Sequence, residues 1–325
     1  MTESAPVFKL FEPGELILPE WQDWRKSGRV YHCNPSLLED GSRWIFACRV
    51  IGPDLQRRVL LCRLDRTWEV IAGSHIAWSD QIRFPDPSLY PEQVGVWFAD
   101  PRLFRIGRRL FIYWNSGWHE PQNHQFIQEL DPASLAGLGP PRELVLVGRR
   151  RKIEKNWMIF GQDQAFAVYS PEPHRLLTAD LSGQGPVPCR FLDGAESAES
   201  DESDRLSVLR GGAPPRRFGP HYYSFCHSIE ETEGGYAYLP AVYRFDASDP
   251  RQLTALSKGP LPLPNPLGDR REHPPLNPAI YRVIYPSGAV PVHGDWCISY
   301  GINDERCAIC RLPHEQILKF LRPMV

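Results

Sequence analysis

The sequence predicts an all-β fold, a single five-bladed β-propeller domain spanning residues 1–325 and ending in a short C-terminal helix. Three observations lead there. A polar turn recurs five times, as Asn34-Pro35-Ser36-Leu37, Ala99-Asp100-Pro101-Arg102, Glu154-Lys155-Asn156-Trp157, Arg210-Gly211-Gly212-Ala213-Pro214-Pro215 and Tyr285-Pro286-Ser287-Gly288. The turns stand roughly 55 to 75 residues apart, room for four short strands and their connections. After each turn comes an aromatic or β-branched run bounded by Gly, Pro or Asp: Trp44–Arg49, Leu110–Trp114, Ala165–Tyr169, Tyr222–His227 and Trp296–Tyr300. Such runs read as strands. A repeat diverged everywhere except in its polar turns places those turns together near the axis of a ring.

The ends of the chain follow from the need of an open ring to hide its edges, which assigns a strand within Val7–Leu18 to the last blade. Helical periodicity is confined to His314–Leu321. Two segments break the repeat. The acidic stretch at about 195–205 reads as a solvated loop, and the Pro-rich stretch at about 259–278 as an extended connection.

Composition narrows the function. The 33 Pro and 25 Gly suit a protein made of turns, and a net charge of −2 argues against a nucleic-acid or anionic-membrane binder. No apolar stretch reaches the length of a membrane span, and Met1-Thr2-Glu3-Ser4-Ala5 lacks the basic and apolar regions of a signal peptide, so a cytoplasmic location is expected. The cysteines fit that compartment as small buried hydrophobes. Cys307-Ala308-Ile309-Cys310 has no second pair at zinc-site spacing, and on a strand its thiols point to opposite faces; no metal or cofactor is implied.

Read in order, the turns resemble those of the β-mannoside-active five-bladed propellers of glycoside hydrolase family 130 and the related β-1,2-mannosyltransferases. Ala99-Asp100-Pro101-Arg102 is similar to that family's Glu-Asp-Pro-Arg, Glu154-Lys155-Asn156 to its Lys-Asn turn, and Tyr300-Gly301-Ile302-Asn303-Asp304 to its Tyr-Gly-Ala-Ala-Asp. Gly212-Ala213-Pro214-Pro215, followed by a strand and His227, is similar to its Gly-x-Pro-Pro and Tyr-His-Gly. The resemblance covers about residues 30–312. It implies an inverting enzyme that makes or breaks β-mannosidic bonds with a phosphate-activated sugar, as a mannoside phosphorylase or mannosyltransferase. Where the resembled phosphorylases carry further arginines, this chain reads Asn115-Ser116-Gly117-Trp118-His119-Glu120, which points to a divergent branch.

The residues can be read without the family. Glycosidic chemistry needs a proton donor or acceptor at the bridging oxygen and a nucleophile on the other face of the sugar. Asp100, beside Arg102 in its turn, is the candidate acid/base; otherwise it merely caps the Pro101 bend. The resemblance adds that such an Asp passes its proton through a sugar hydroxyl. Lys155, Arg210 and a pH-dependent His227 are candidate phosphate ligands, against a solvated lysine and a core histidine. Asn34, Arg49, Arg102, Asn156 and Asp304 are candidate sugar-binding groups, and Tyr113, Trp114, Trp118 and Trp157 candidate stacking faces, unless they wedge between blades. The expected partner is a carbohydrate, with phosphate, a sugar phosphate or a nucleotide sugar as co-substrate. Two alternatives stay open: a hydrolase of the same fold with Glu120 or Glu154 as base, and a non-catalytic glycan- or protein-binding propeller.

Overall fold

The computed structural model describes residues 7–21, 23–24, 28–117, 121–195 and 209–324. The fold is all-β, and its strands fall into four-stranded antiparallel meanders. The first consists of β2 (Tyr31–Asp40), β3 (Arg43–Ile51), β4 (Arg57–Leu64) and β5 (Ile76–Ala77). The second is β6 (Ala99–Ile106), β7 (Arg109–Asn115), β8 (Gln125–Leu130) and β9 (Arg142–Leu146). The third is β10 (Met158–Phe160), β11 (Ala165–Pro171), β12 (His174–Ala179) and β13 (Val187–Phe191). The fourth is β14 (Arg216–Phe218), β15 (His221–Thr232), β16 (Gly235–Asp246) and β17 (Leu253–Ser257).

The last unit contains β18 (Ile280–Val292), β19 (Asp295–Ile302) and β20 (Arg306–Pro313), and its fourth strand is supplied from the other end of the chain. There β1 (Phe8–Leu10) pairs antiparallel with β20, Phe8 opposite Cys310, within the segment the sequence assigned to ring closure. The C-terminal helix is α1 (His314–Lys319), and β21 (Leu321–Pro323) after it pairs with β17. Tight hairpins turn the strands around. Gly41 and Gly107 hold φ of 60° and 57° in the two-residue loops after Asp40 and Ile106, the left-handed geometry that matches strand twist.

Because every meander is covered on both faces, its strands are apolar in both registers, and five clusters fill the spaces between neighbours. Trp44, Phe46 and Cys48 of β3 pack against Cys297, Cys307 and Ile309 of the last unit, while Ile45 and Ala47 of the same strand face Leu103, Ile112 and Trp114 of the second. Phe104 and Tyr113 meet Trp157 and Ile159, Met158 and Phe160 meet Tyr243 and Phe245, and Tyr223 and Phe225 meet Trp296 and Ile298. Each unit therefore packs on the next and the last on the first, β18 lying against β2. Full burial of such side chains contributes about 1.5–3 kcal/mol each, so these interfaces are the main stabilising element.

The interfaces decide several sequence expectations. Tyr113, Trp114 and Trp157 are almost completely buried between units, so they offer no face to a sugar; the wedge role holds for all three. All eight cysteines are buried as free thiols, and Cys307 and Cys310 point into different clusters. Trp118 and Glu120, and the acidic stretch from residue 196 onward, lie outside the described residues. Among the described residues no helix is long and apolar enough to cross a membrane.

Candidate active site

The polar turns open the first strand of their units, and their backbone is special. Asn34, Asp100, Asn156, Asn303 and Asp304 adopt left-handed φ of 52°, 54°, 65°, 54° and 58°. Asn and Asp tolerate this region better than other side chains with a Cβ, which is why the turns carry them. The ladders slip at the same places, between Cys33 and Ser36, Ala99 and Arg102, and Pro286 and Gly288. A bulge re-aims the side chain it carries, and it is also where a strand admits Pro35, Pro101 or Pro286, which have no N–H to give.

Cross-unit hydrogen bonds lock these turns to one another. Ser287 and Ser299 donate to the Pro35 carbonyl at 2.7 Å, and the Leu103 amide donates to Ser36 Oγ at 2.8 Å. Arg102 donates to the Trp157 carbonyl at 2.7 Å, the Gly212 amide to Met158 Sδ at 3.1 Å, and Tyr285 to the Gly211 carbonyl at 3.4 Å. In the fourth unit glycine replaces the Asn or Asp, for a steric reason: a Cβ on Gly211 would stand 2.0 Å from the Asn156 carbonyl oxygen. Gly211→Ala is therefore expected to displace the Lys155–Asn156 backbone, at a cost of about 1–3 kcal/mol typical of overpacking. Calorimetric melting together with an activity assay checks this; wild-type values for both would contradict it.

The turns surround one cavity of about 160 Å³, lined by Asn34, Arg49, Asp100, Lys155, Asn156 and Arg210 with His227, Tyr238, Tyr285 and Asp304, and by Ile229 and Val283 on its apolar side. Residues up to 270 positions apart in sequence meet here because all five units contribute to the cavity wall.

Asp100 is held from several sides. Asn34 Nδ2 donates to its Oδ1 at 2.5 Å, Arg49 donates to the same oxygen at 3.2 Å, and Asn115 Nδ2 approaches Oδ2 at 3.3 Å. Burial would push this carboxyl up, but Arg49, Arg102, the Asn34 bond and Lys155 together hold it below the ordinary carboxylate range. Arg49 also faces Asp304 at 3.7 Å and donates to Cys33 Sγ at 3.1 Å. Asp304 goes the other way: burial raises its pKa, Arg49 and Arg271 oppose this, and Asp100 adds to it. The two carboxyls thus share one guanidinium while their affinities for a proton are driven apart.

The same cavity is lined by cations. Lys155 lines the cavity as a solvent-exposed residue with protein packed around it. Burial there lowers its pKa, Asp100 raises it, and Arg210 and Arg49 lower it further. Arg210 is tied to His227 through its backbone, by a bridge with bonds of 2.7 and 3.1 Å. His227 is buried between Tyr238 and Tyr285, with ring centroids 5.2 and 4.7 Å away. Burial and the charges of Arg210, Arg102 and Lys155 depress its pKa to about 3, against a weaker pull from Asp100. The pH-dependent cation expected at this position is corrected by that surrounding: the imidazole is neutral throughout the physiological range. His227 Nδ1, Arg210 Nε and Asn34 Oδ1 have no hydrogen-bond partner among the described residues, so polar capacity is left over at the cavity wall.

Eight of the nine expected site residues line the cavity. Arg102 lies behind its wall, 1% exposed, with its guanidinium donating to Asn156 Oδ1 at 3.1 Å and Tyr285 Oη at 2.8 Å, so it acts on the site through those two residues and through its charge on Asp100 and His227. Glu154, expected as a hydrolytic base, is turned away: it accepts from the Arg151 amide at 2.8 Å and from Tyr169 at 3.1 Å, and does not reach the cavity. Tyr285 and Tyr238 went unassigned. Tyr285 precedes Pro286 as Asn34 precedes Pro35 and Asp100 precedes Pro101, and that shared position was a usable signal. Tyr238 sits within the aromatic strand β16 and carried none.

No protein-family model matches the chain, and no curated protein matches it by sequence. Solved structures do share its fold. The β-1,2-mannobiose phosphorylase from Listeria innocua, solved with β-1,2-mannobiose, aligns over 96% of this chain and 98% of its own at 13% identity and a TM-score of 0.61. A structure from the GH130 family of mannoside phosphorylases, which contains glycoside hydrolases targeting β-1,2-mannosidic linkages in Candida mannan, aligns over 97% and 96% at 11% identity and 0.63. An α-L-arabinofuranosidase from Lactobacillus brevis aligns over 90% and 93% at 12% identity and 0.53.

Proposed function

We propose that this protein is a single-domain five-bladed β-propeller of the GH130 type and an inverting carbohydrate-active enzyme, making or breaking β-mannosidic bonds with a phosphate-activated sugar. The observation that carries the reading is one cavity lined by a strongly held carboxylate, Asp100, together with the cations Lys155 and Arg210. The five four-stranded units, the similarity of fold to a mannobiose phosphorylase, and the ordered turn motifs support it.

In this reading Asp100 handles the proton of the bridging oxygen, relayed through a sugar hydroxyl. Asn34, Arg49, Asn156 and Asp304 hold the mannosyl ring by hydrogen bonds, and Lys155 and Arg210 hold phosphate oxygens, with His227 as a neutral partner. Left-handed backbone at four of these residues, Asn34, Asp100, Asn156 and Asp304, is strain of the kind that persists where a site is over-determined. Transfer in one displacement needs no carboxylate on the far face of the sugar, because the incoming oxygen belongs to an anion or to an acceptor hydroxyl.

The test is to incubate the purified protein with mannose 1-phosphate or GDP-mannose, offering mannose and mannobiose as acceptors, and separately with β-1,2-mannobiose and phosphate. Release of phosphate or nucleotide with chain extension, or formation of mannose 1-phosphate, is expected. Equally fast mannobiose cleavage in phosphate-free buffer would make the protein a hydrolase, and no turnover with retained glycan binding would make it a binding module.

A further inference from the structure

The Pro-rich stretch before the last unit is fastened onto the turn that carries Asp304. Asn303, completely buried, donates through Nδ2 to the Gly268 carbonyl at 3.1 Å and the Arg270 carbonyl at 3.2 Å. Its Oδ1 accepts from the Val283 amide at 3.2 Å, and its own carbonyl accepts from Arg271 at 2.6 Å. On the other side of Asp304, the buried Glu305 carboxylate accepts from the amides of Glu272 at 2.9 Å and His273 at 3.2 Å. Tyr300 and Tyr31 donate to the carbonyls of Pro264 and Pro274 at 2.6 and 3.0 Å. Asp304 is therefore a cavity residue flanked on both sides by residues bound to a segment from outside the sheets.

That arrangement has a purpose the backbone makes plain. Asn303 and Asp304 are consecutive residues at left-handed φ of 54° and 58° in the β19–β20 hairpin, where the Glu305 amide donates to the Ile302 carbonyl at 3.0 Å; left-handed φ still costs a residue that carries a Cβ, and the contacts above add to that local bond. We infer that Asn303 is a positioning residue: together with segment 264–274 it fixes the strained turn so that the Asp304 carboxylate meets the sugar, and so sets affinity for the sugar ring more than the rate of bond making. The inference rests on the reading of the cavity as a mannoside site. Arg271 contributes twice, as a clamp on the Asn303 carbonyl and as a positive charge near Asp304.

Asn303→Gly keeps the left-handed backbone accessible while removing all three side-chain bonds. Calorimetric titration with β-1,2-mannobiose should show binding weakened about 10- to 100-fold, the scale of a roughly 1 Å misplacement, with kcat falling less than KM rises. Placed in an Asp304→Ala background, the same change should add almost nothing, because both act through one carboxylate. Arg271→Gln, away from the core, should weaken binding by about 10-fold with melting unchanged. Additive losses in the double variant, or equal falls in kcat and kcat/KM, would overturn the positioning role while leaving the mannoside reading intact. If Asp304→Ala alone leaves mannobiose binding unaltered, both are overturned.

Discussion

Asp100→Asn should lower turnover by about 10²- to 10⁴-fold, the contribution of a positioned general acid or base, with the fold and the sugar affinity changed far less. The amide is nearly the same size and its one oxygen can still accept from Asn34 and Arg49, while only the long 3.3 Å contact from Asn115 is given up, so lost chemistry is largely separated from lost structure. An Asn variant with near-normal rate would reduce Asp100 to a turn residue. The pH dependence follows from the same contacts. Cations hold Asp100 ionised at neutral pH in the empty cavity, the state required to accept a proton from an acceptor hydroxyl. Phosphorolysis needs the opposite state, and phosphate bound at Lys155 and Arg210, as proposed, would favour it, since a nearby anion raises a carboxyl pKa. For phosphorolysis, the alkaline limb of kcat, which reports the complex, should lie at higher pH than that of kcat/KM, which reports the free enzyme. Coincident limbs would mean that the anion does not act on Asp100.

The site was legible in the sequence where backbone geometry limits the choice of residue. Asn34-Pro35 and Asp100-Pro101 are what a left-handed residue at a bulge demands, so spacing alone brought them together. Charge state was not legible. Burial depresses the His227 pKa, and Arg210, Arg102 and Lys155, from three other places in the chain, converge to lower it further. Nor could composition separate a tryptophan that wedges between sheets from one that faces a sugar: Trp114 and Trp157 have the strand context of either, and burial decides. Glu154 and Lys155 are adjacent, yet one braces the turn from behind while the other enters the cavity, a difference set by which way one peptide unit faces. The Pro-rich segment read as a mere connection because its hydrogen bonds run to Asn303 and Glu305, a contact only the fold creates.

The second large effect is expected at Lys155. Charge-assisted bonds to phosphate oxygens contribute about 1.5–3 kcal/mol each, so Lys155→Ala should weaken a phosphorylated donor by about 10- to 150-fold. Binding of an unphosphorylated mannoside should change much less, since Asn34, Arg49 and Asp304, which are to hold it, sit around Asp100 on other units. The substitution also removes a positive charge that helps keep Asp100 ionised, so its carboxyl pKa should rise. Arg49, Arg102 and the Asn34 bond remain to hold the carboxyl down, and comparing phosphorylated with unphosphorylated ligands isolates the anion effect. Arg210→Ala should act in the same direction through its bond to the same group. Titrations of mannose 1-phosphate, phosphate and β-1,2-mannobiose against both variants read the difference directly. Equal, small losses for all three ligands would remove Lys155 from the anion site, and with it the reason for preferring a phosphate-activated sugar over water.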